Sequence, residues 1–211
     1  VRGDTPPAPT ANPSRLRVEH STAADGSFHD ISLEVRSGEI VGIYGFVGAG
    51  RSEFAQALFG LKKLSKGNLS IDGLQTRVRT PRQAVAAGLA YLPEDRLVQG
   101  IFREHAIRRN ASAAVLPRLS RFTLLSPGKE KRLAADVISG TQVRAASMEQ
   151  PIGTLSGGNQ QKVVFGRWAA TTPRVLLLDE PTRGVDVGAK AEIHRLIRDL
   201  AAEGAAVVMI S

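Results

Sequence analysis

The 211-residue chain contains no cysteine, which excludes disulfides, thiolate metal sites and cysteine nucleophiles. Aromatic residues make up only 5% of it, and they are not interleaved with basic residues as in proteins that stack single-stranded nucleic acid. No apolar run approaches the roughly 20 residues that span a bilayer, and the start lacks a signal-peptide pattern. We therefore expect a cytosolic protein with no nucleic-acid partner.

What is present is typical of a folded globular chain, with 42% apolar and 23% charged residues. The length suits one sizeable α/β domain, or a main domain with a small appended one, and we expect the second. The formal net charge is +8, which raises the question of a polyanionic partner. Because the arginines between residues 77 and 121 are scattered, we interpret the charge as a solvated surface. An alternative is attraction to an anionic membrane leaflet, which would suit a peripheral membrane subunit.

The chain divides into a short tail and one domain. Residues 1–14 hold four prolines and no periodicity, which predicts a linker. Residues 15–211 form the domain, and its arginine-rich stretch at about 100–150 predicts an inserted helical subdomain. The chain has no initiator methionine and stops after an apolar run, so we expect a piece of a longer protein, truncated at its C-terminus.

Apolar runs and turn residues predict the remaining elements. Strands are expected at 16–18, 31–35, 39–44, 68–71, 89–92, 175–178 and 205–210. Helices are expected from Arg51, from Pro81 to Gly88, from Ser126-Pro127, from Asn159, and over 188–202.

A glycine-rich stretch joins the third predicted strand to the first predicted helix. Residues 45–52 read Gly-Phe-Val-Gly-Ala-Gly-Arg-Ser, the spacing of a phosphate loop, G-x-x-x-x-G-K-[ST]. Glycines let backbone N–H groups close around phosphate oxygens, and the helix N-terminus adds its positive dipole. The predicted nucleotide contacts are Gly45, Val47, Gly48, Ala49, Gly50, Arg51, Ser52 and Glu53. Arg51 departs from the pattern, because its planar fork is larger than the lysine ammonium expected between the phosphates.

Two carboxylates end the apolar strand at 175–178. Asp179 is predicted to hold Mg²⁺ together with the Ser52 hydroxyl. Glu180 is predicted to orient or deprotonate an attacking water, which makes it a catalytic candidate. The alternative is ordinary surface capping of a strand.

A second phosphate-binding pattern precedes this strand. A Ser-Gly-Gly turn that runs straight into a helix forms a nest of backbone N–H groups. The residues predicted to contact phosphate there are Leu155, Ser156, Gly157, Gly158 and Gln160.

The order of these parts resembles the ATP-binding cassette (ABC) family over nearly the whole chain. In that family residues 155–161 would be the signature turn, and residues 183–186 the D-loop, a turn that faces a dimer interface and whose Asp186 is a predicted nucleotide contact. The alternative is an ordinary loop in which Asp186 caps the next helix, and one residue can serve both roles. The resemblance implies an α/β P-loop NTPase fold with a mainly parallel core sheet, an antiparallel β subdomain and an inserted helical subdomain. It also implies ATP and Mg²⁺ as ligands.

The family places a glutamine after the strand at 89–92, where this chain has Glu94. Glu94 is therefore the second catalytic candidate, and its charge beside a triphosphate predicts weakened hydrolysis. The alternative is that Glu94 and Asp95 lie in a solvated loop paired with Arg96. The adenine-stacking aromatic of the family has no good counterpart, because we expect Phe28, like Phe165 and Trp168, to pack in the core.

Three details resemble the second nucleotide-binding domain of tandem ATPases that drive bacterial importers of ribose, xylose, arabinose or galactose: residues 48–53, residues 93–96, and the pair 155–162 with 179–190. Such a domain pairs head to tail with the first domain of the same polypeptide, or with a homologous one. It also contacts transmembrane permease subunits, serves a periplasmic or surface sugar-binding protein indirectly, and lies on the cytoplasmic side of the membrane. The resemblance implies that the signature turn completes the partner domain's ATP site, whereas the local site is degenerate and the isolated chain has weak or no ATPase activity.

Three alternatives remain open from the residues. A nucleoside importer ATPase is the nearest, and it would have glutamine at position 51. A regulatory module that binds nucleotide without hydrolysis is the second. An ABC ATPase acting on nucleic acid is disfavoured, because the roughly 100 residues between Ser52 and Leu155 lack sustained heptads.

Overall fold

A computed structural model describes residues 12–46, 48–122 and 124–211. Most of the predicted linker, residues 1–11, lies outside this part, as does Val47 of the predicted phosphate loop. The end of the predicted linker is already strand, because β1 begins at Ser14.

The first sheet is antiparallel. It consists of β1 (Ser14–Ala23), β2 (Ile31–Arg36), β4 (Leu64–Ile71) and β5 (Leu74–Gln75), in the order β2-β1-β4-β5. Leu16 and Val18 of β1 are buried while Arg17 and Glu19 are exposed, the alternation of a sheet with one face on the core.

The second sheet is parallel throughout. It contains β3 (Ile40–Ile43), β6 (Leu89–Leu92), β9 (Val175–Asp179) and β10 (Ala206–Ile210), in the order β3-β10-β9-β6. All five residues of β9 are buried, because both faces of this sheet are covered. The carboxyl ends of β3, β6 and β9 therefore open onto the same edge.

Helices fill the two faces of the parallel sheet. On one face α1 (Arg51–Leu58) and α2 (Pro81–Ala86) share a core with the antiparallel sheet and with Leu177 of β9. On the other face α6 (Gly157–Ala169) and α7 (Val187–Ala202) pack with Leu176 and Leu178. Neighbouring residues of one strand thus belong to different cores, as the two-residue period of a strand requires.

The region predicted to be a helical subdomain is mainly helical. It holds a π-helical turn (Arg96–Gly100), α3 (Ile107–Ser112), α4 (Leu116–Leu119), α5 (Pro127–Gly140) and a 3₁₀ turn (Ile152–Thr154). A short hairpin of β7 (Ser120–Arg121) and β8 (Leu124–Leu125) was not expected from the sequence. Arg167 connects α6 to this region by donating hydrogen bonds to the carbonyls of Asn110 (2.6 Å) and Gly100 (2.7 Å).

Several local predictions are confirmed. The Thr80 side chain caps α2 by accepting from the Gln83 N–H (3.3 Å). Phe28 is buried edge-on against Phe54, and Phe165 is buried in the α6 core. Trp168 is only half-buried, with its ring against Phe59. Within the described residues, no helix has both the length and the apolar content needed to cross a membrane.

Candidate functional site

The glycine-rich loop leaves the carboxyl end of β3 and opens α1, as predicted. Gly48 and Gly50 have φ angles of 83° and 80°, which glycine adopts without strain. A Cβ on Gly50 would also overlap the Ser27 carbonyl. Gly50 is the N-cap of α1, so the first N–H groups of the helix point into the loop. Residues 48–52 therefore have the backbone form that a phosphate nest requires.

Arg51 lies over this loop. Its guanidinium donates to the carbonyl of Phe46 (3.5 Å) and to that of Ser211, and its aliphatic stem passes beside Gly45. The planar fork is engaged with backbone carbonyls here.

Ser52 and Asp179 meet as the sequence predicts. The Ser52 hydroxyl donates to Asp179 Oδ1 (3.0 Å), and the Tyr91 hydroxyl donates to Asp179 Oδ2 (3.2 Å). Asp179 is 1% exposed. Burial raises the pKa of its carboxyl, with a further contribution from the charge of Glu180, while the two hydroxyls lower it. Burial and the Asp179 charge likewise raise the pKa of Tyr91.

The residues at this edge suit Mg²⁺. One hydroxyl and one carboxylate are hard oxygen ligands, and Mg²⁺ usually takes one or two such protein ligands while keeping water or phosphate on its other positions. The described residues hold no cluster of three or more His, Cys, Asp or Glu that would form an all-protein metal cage. The donor set thus fits a magnesium ion that arrives with a phosphate ligand.

Glu180 directly follows Asp179 in an uncommon conformation. Its φ is 45°, in the left-handed region that costs a residue with a Cβ free energy. Two backbone hydrogen bonds hold it there: its N–H donates to the Ile210 carbonyl, and its carbonyl accepts from the Arg183 N–H, both at 3.0 Å. Strain maintained in this way is typical of functional positions.

The signature turn lies at the start of α6. Ser156 is the exposed N-cap of this helix, and its hydroxyl accepts from Asn159 Nδ2 (3.0 Å). Gly158 packs on α7 so closely that a Cβ would lie 2.5 Å from that of Ala189. The Gln160 side chain is buried and donates to the carbonyls of Leu155 (3.0 Å) and Ile152 (3.4 Å). Gln160 thus supports the turn from within, and its contact with nucleotide stays a prediction.

A polar cleft of about 210 Å³ adjoins the signature turn. Sequence reasoning missed its buried cation, Lys162, which pairs with Glu192 at 2.5 Å and donates to the Gln142 carbonyl at 2.9 Å. Lys162 holds the pKa of Glu192 below its ordinary value. Asp186 lies in the same cleft and caps α7 by accepting from the Ala189 N–H (3.0 Å), as one of its two predicted roles requires. The cleft lining comprises Arg144, Ser156, Gly158, Asn159, Lys162, Asp186, Gly188, Ala189 and Glu192.

The suggested pairing of Glu94 and Asp95 with Arg96 is wrong. Glu94 forms its ion pair with Arg183 of the D-loop. Asp95 caps the following π-helical turn by accepting from the N–H groups of Leu97 and Val98. Arg96 instead donates to the carbonyls of Arg183 (2.8 Å) and Gly184 (3.2 Å).

The candidate residues therefore fall into two groups. The first is at the carboxyl edge of the parallel sheet and contains the phosphate loop, Asp179 and Glu180. The second contains the signature turn, Asp186 and the loop with Glu94. Across residues 12–46, 48–122 and 124–211, no hydrogen bond or ion pair joins the signature turn to the phosphate loop.

Comparisons with known proteins agree with this geometry. The chain is 46% identical over 207 residues to the ribose import ATP-binding protein RbsA 1 of Agrobacterium fabrum, covering 97% of this chain and 40% of the relative. It is 52% identical over 189 residues to a putative ribose/galactose/methyl galactoside import ATP-binding protein of the same organism, covering 89% and 38%. The chain thus spans about 40% of the length of these relatives.

Solved structures share the fold. A nucleotide-free ATP-binding cassette from an ABC transporter superposes with a TM-score of 0.81 at 19% identity, covering 94% of this chain and 81% of that one. A dimeric cassette in a post-hydrolysis state with ADP and phosphate gives 0.78 at 19% identity, covering 93% and 87%. The ABC transporter family model matches residues 28–183. With the phosphate loop, the strand-end carboxylates and the signature turn in place, this chain belongs to the ABC transporter family.

Proposed function

We propose that the chain is the second nucleotide-binding domain of an ATPase that drives import of a simple sugar. The Ser52–Asp179 hydrogen bond at the end of the phosphate loop carries the proposal, because a hydroxyl and a carboxylate that meet there would suit a magnesium ion on bound phosphate. The names of the relatives support a sugar as cargo. In this proposal residues 1–14 are the interdomain linker and residues 15–211 the domain.

The residues divide the work with ATP as follows. Backbone N–H groups of residues 45–52 and the α1 dipole would bind the phosphates. Ser52 and Asp179 would hold Mg²⁺, which neutralises phosphate charge when bound. Glu180, fixed by its two backbone hydrogen bonds, would orient the attacking water and accept its proton.

We propose further that the signature turn serves a different nucleotide from the one on the local loop. Across the described residues, no hydrogen bond or ion pair joins the signature turn to the phosphate loop. A head-to-tail pair of domains would bring the exposed Ser156 and the α6 N-terminus onto the phosphates held by the first domain. In this assignment the domain lies on the cytoplasmic face of the membrane and contacts transmembrane permease subunits. It serves a sugar-binding protein indirectly.

The local site is proposed to hydrolyse ATP slowly. Arg51 replaces the lysine expected between phosphates, and its fork is engaged by the Phe46 carbonyl. Glu94 replaces the glutamine and is paired with Arg183.

Calorimetric titration of the chain with ATP, with and without Mg²⁺, tests the assignment. Ser52→Ala should weaken MgATP binding about tenfold, because it removes the hydroxyl that is proposed to bind Mg²⁺. Ser156→Ala is the matched control and should change the affinity of the single domain less than about twofold, which is within the scatter of a surface change. Equal losses in both variants would contradict the head-to-tail arrangement, and no MgATP binding by the wild type would refute the proposal.

The degenerate site is tested in the longer polypeptide. Arg51→Lys combined with Glu94→Gln should raise ATP hydrolysis by the second site by an order of magnitude or more, because each restores a group suited to phosphoryl transfer. No change in the double variant would favour a regulatory module that only binds nucleotide.

A further inference from the structure

Arg96 connects three segments that are far apart in the sequence. It stands at the end of the loop that follows β6, and its Nη1 and Nη2 atoms donate to two successive carbonyls of the D-loop, those of Arg183 (2.8 Å) and Gly184 (3.2 Å). Its Nε donates to the Gln160 amide oxygen (3.5 Å), one turn into α6. A planar fork with donors on several atoms makes this combination possible.

The surroundings are shaped around this guanidinium. A Cβ on Gly157 would lie 2.5 Å from Arg96 Nη2 and 3.1 Å from the Gly184 carbonyl oxygen, so a side chain at position 157 would displace the guanidinium. Gln160 is buried and fixed by its bonds to the Leu155 and Ile152 carbonyls. Arg96 therefore packs against the signature turn as well as bonding to the D-loop.

No carboxylate competes for Arg96. Among the described residues no Asp or Glu lies within ion-pair distance of it, since Asp95 caps the next turn and Glu94 pairs with Arg183. Partial burial lowers the pKa of Arg96, while the nearby Asp95 charge raises it. All three acceptors of the guanidinium are neutral oxygen atoms, and two of them are backbone carbonyls. Arg96 therefore joins the D-loop to α6 through hydrogen bonds and not through an ion pair.

We propose that Arg96 is a positioning residue that locks the D-loop onto the first turn of α6. The loop after β6, the D-loop and the phosphate-binding face of the signature turn then move as one body. A partner protein that displaces the loop after β6 would displace the signature turn directly, without deforming the parallel sheet. The functional consequence of this movement rests on the proposed function. The link made by Arg96 does not depend on it.

Hydrogen exchange of the ligand-free chain tests the link by itself. Arg96→Ala should speed exchange in residues 156–160 and 183–187 about tenfold, the effect of losing roughly one charge-assisted hydrogen bond. Residues 175–179 of β9 should be unaffected. Arg96→Lys should resemble Arg96→Ala, because one ammonium cannot reach both carbonyls and the Gln160 amide in a planar arrangement. Full protection in Arg96→Lys, or no change in Arg96→Ala, would overturn the proposal.

Arg183→Ala is the matched control. It removes the ion pair with Glu94 but keeps the Arg183 carbonyl that Arg96 uses, so exchange should rise less than about twofold, as for an exposed pair. If Arg183→Ala loosens the D-loop as much as Arg96→Ala does, the ion pair is the link and the proposal is wrong.

A second measurement separates positioning from general weakening. Calorimetry should give Arg96→Ala a MgATP affinity within about twofold of the wild type, because Arg96 does not touch the phosphate loop. Ultracentrifugation should show that association of two copies in MgATP is at least about tenfold weaker, because the signature turn is displaced. Equal losses of both would overturn the positioning role. If the wild type neither binds MgATP nor associates, the proposed function fails, whereas the exchange experiment still decides on Arg96.

Discussion

Replacing Asp179 by asparagine is expected to make the ligand-free domain more stable at neutral pH. The carboxyl is 1% exposed, and among the described residues its side-chain hydrogen-bond donors are the neutral hydroxyls of Ser52 and Tyr91. Asparagine keeps the acceptor toward Ser52 and offers an N–H₂ group to the Tyr91 oxygen. Because burial and the neighbouring Glu180 raise the pKa of Asp179, the charged form is disfavoured in the fold and its removal relieves that cost.

The size of the effect follows from the burial. Asparagine removes the buried charge but keeps the hydrogen-bond geometry, and it gives back part of the gain through a weaker acceptor. A net gain of about 1 kcal/mol is expected, equivalent to roughly 2–4 °C in Tm for a chain of this length. Stabilisation on removal of a functional group is common where a site is held in an unfavourable electrostatic state.

Thermal unfolding by circular dichroism in EDTA, followed between pH 7.5 and pH 4.5, is the assay. Folded Asp179 binds its proton more tightly than the unfolded chain, whose reference pKa is 3.8. The wild type is therefore penalised most above the folded-state pKa, and the penalty shrinks as the pH falls through it. The advantage of Asp179→Asn should decrease on acidification and should also decrease when Mg²⁺ and ATP are added, because they bind the wild type preferentially.

Asp136→Asn on the exposed side of α5 is the control and should leave the Tm nearly unchanged. A lower Tm for Asp179→Asn at pH 7.5 in EDTA would refute the reasoning. An advantage that grows as the pH falls would refute the assigned direction of the pKa shift.

Two further substitutions test the packing of the site and of the helical region by urea unfolding. Gly50→Ala should lower the free energy of unfolding by about 2–4 kcal/mol, since the φ of 80° and the Ser27 carbonyl both disfavour a Cβ there. Gly128→Ala is the control and should be neutral or slightly stabilising, because no atom lies within 4 Å of its Cβ position. Equal losses in the two variants would contradict the argument. Glu130→Ala should lower the free energy of unfolding by about 3 kcal/mol, because it leaves the buried partners of Glu130 without their carboxylate. Glu149→Ala should lower it by less than about 1 kcal/mol, because the Glu149 side chain is 49% exposed. Both carboxylates contact Arg108, so equal losses would show that burial does not set the energy.

The regular elements and the first group of site residues were predictable because local spacing defines them. The phosphate loop joins a strand to a helix, and Asp179 ends an apolar run, so both had to meet at the carboxyl edge of a parallel sheet. The Ser52–Asp179 contact follows from that topology although 127 positions separate the residues.

Side-chain partners in the second group were not predictable. Glu94 was weighed against its neighbour Arg96, but Arg183 is brought to it by the turn after β9. Gln160 is predicted to contact nucleotide because it lies in the signature turn, and its hydrogen bond to the Leu155 carbonyl was not expected from the sequence. Lys162 and Arg167 each donate to a backbone carbonyl of a distant segment, and the periodicity of a sequence does not indicate such acceptors.

The two groups of candidate site residues are anchored differently. Asp179 ends a strand of the parallel sheet and accepts from Ser52, while Glu180 bonds both to the Ile210 carbonyl of that sheet and to the Arg183 N–H of the D-loop. The signature turn depends on side chains outside the sheet, through Arg96 and through the packing of Gly158 on α7. Asp179 lies in a sheet that is buried on both faces, whereas Gln160 of the signature turn accepts from Arg96 of the loop after β6. The proposed role of Arg96 therefore predicts that the signature turn shifts with this loop while Ser52 and Asp179 keep their positions.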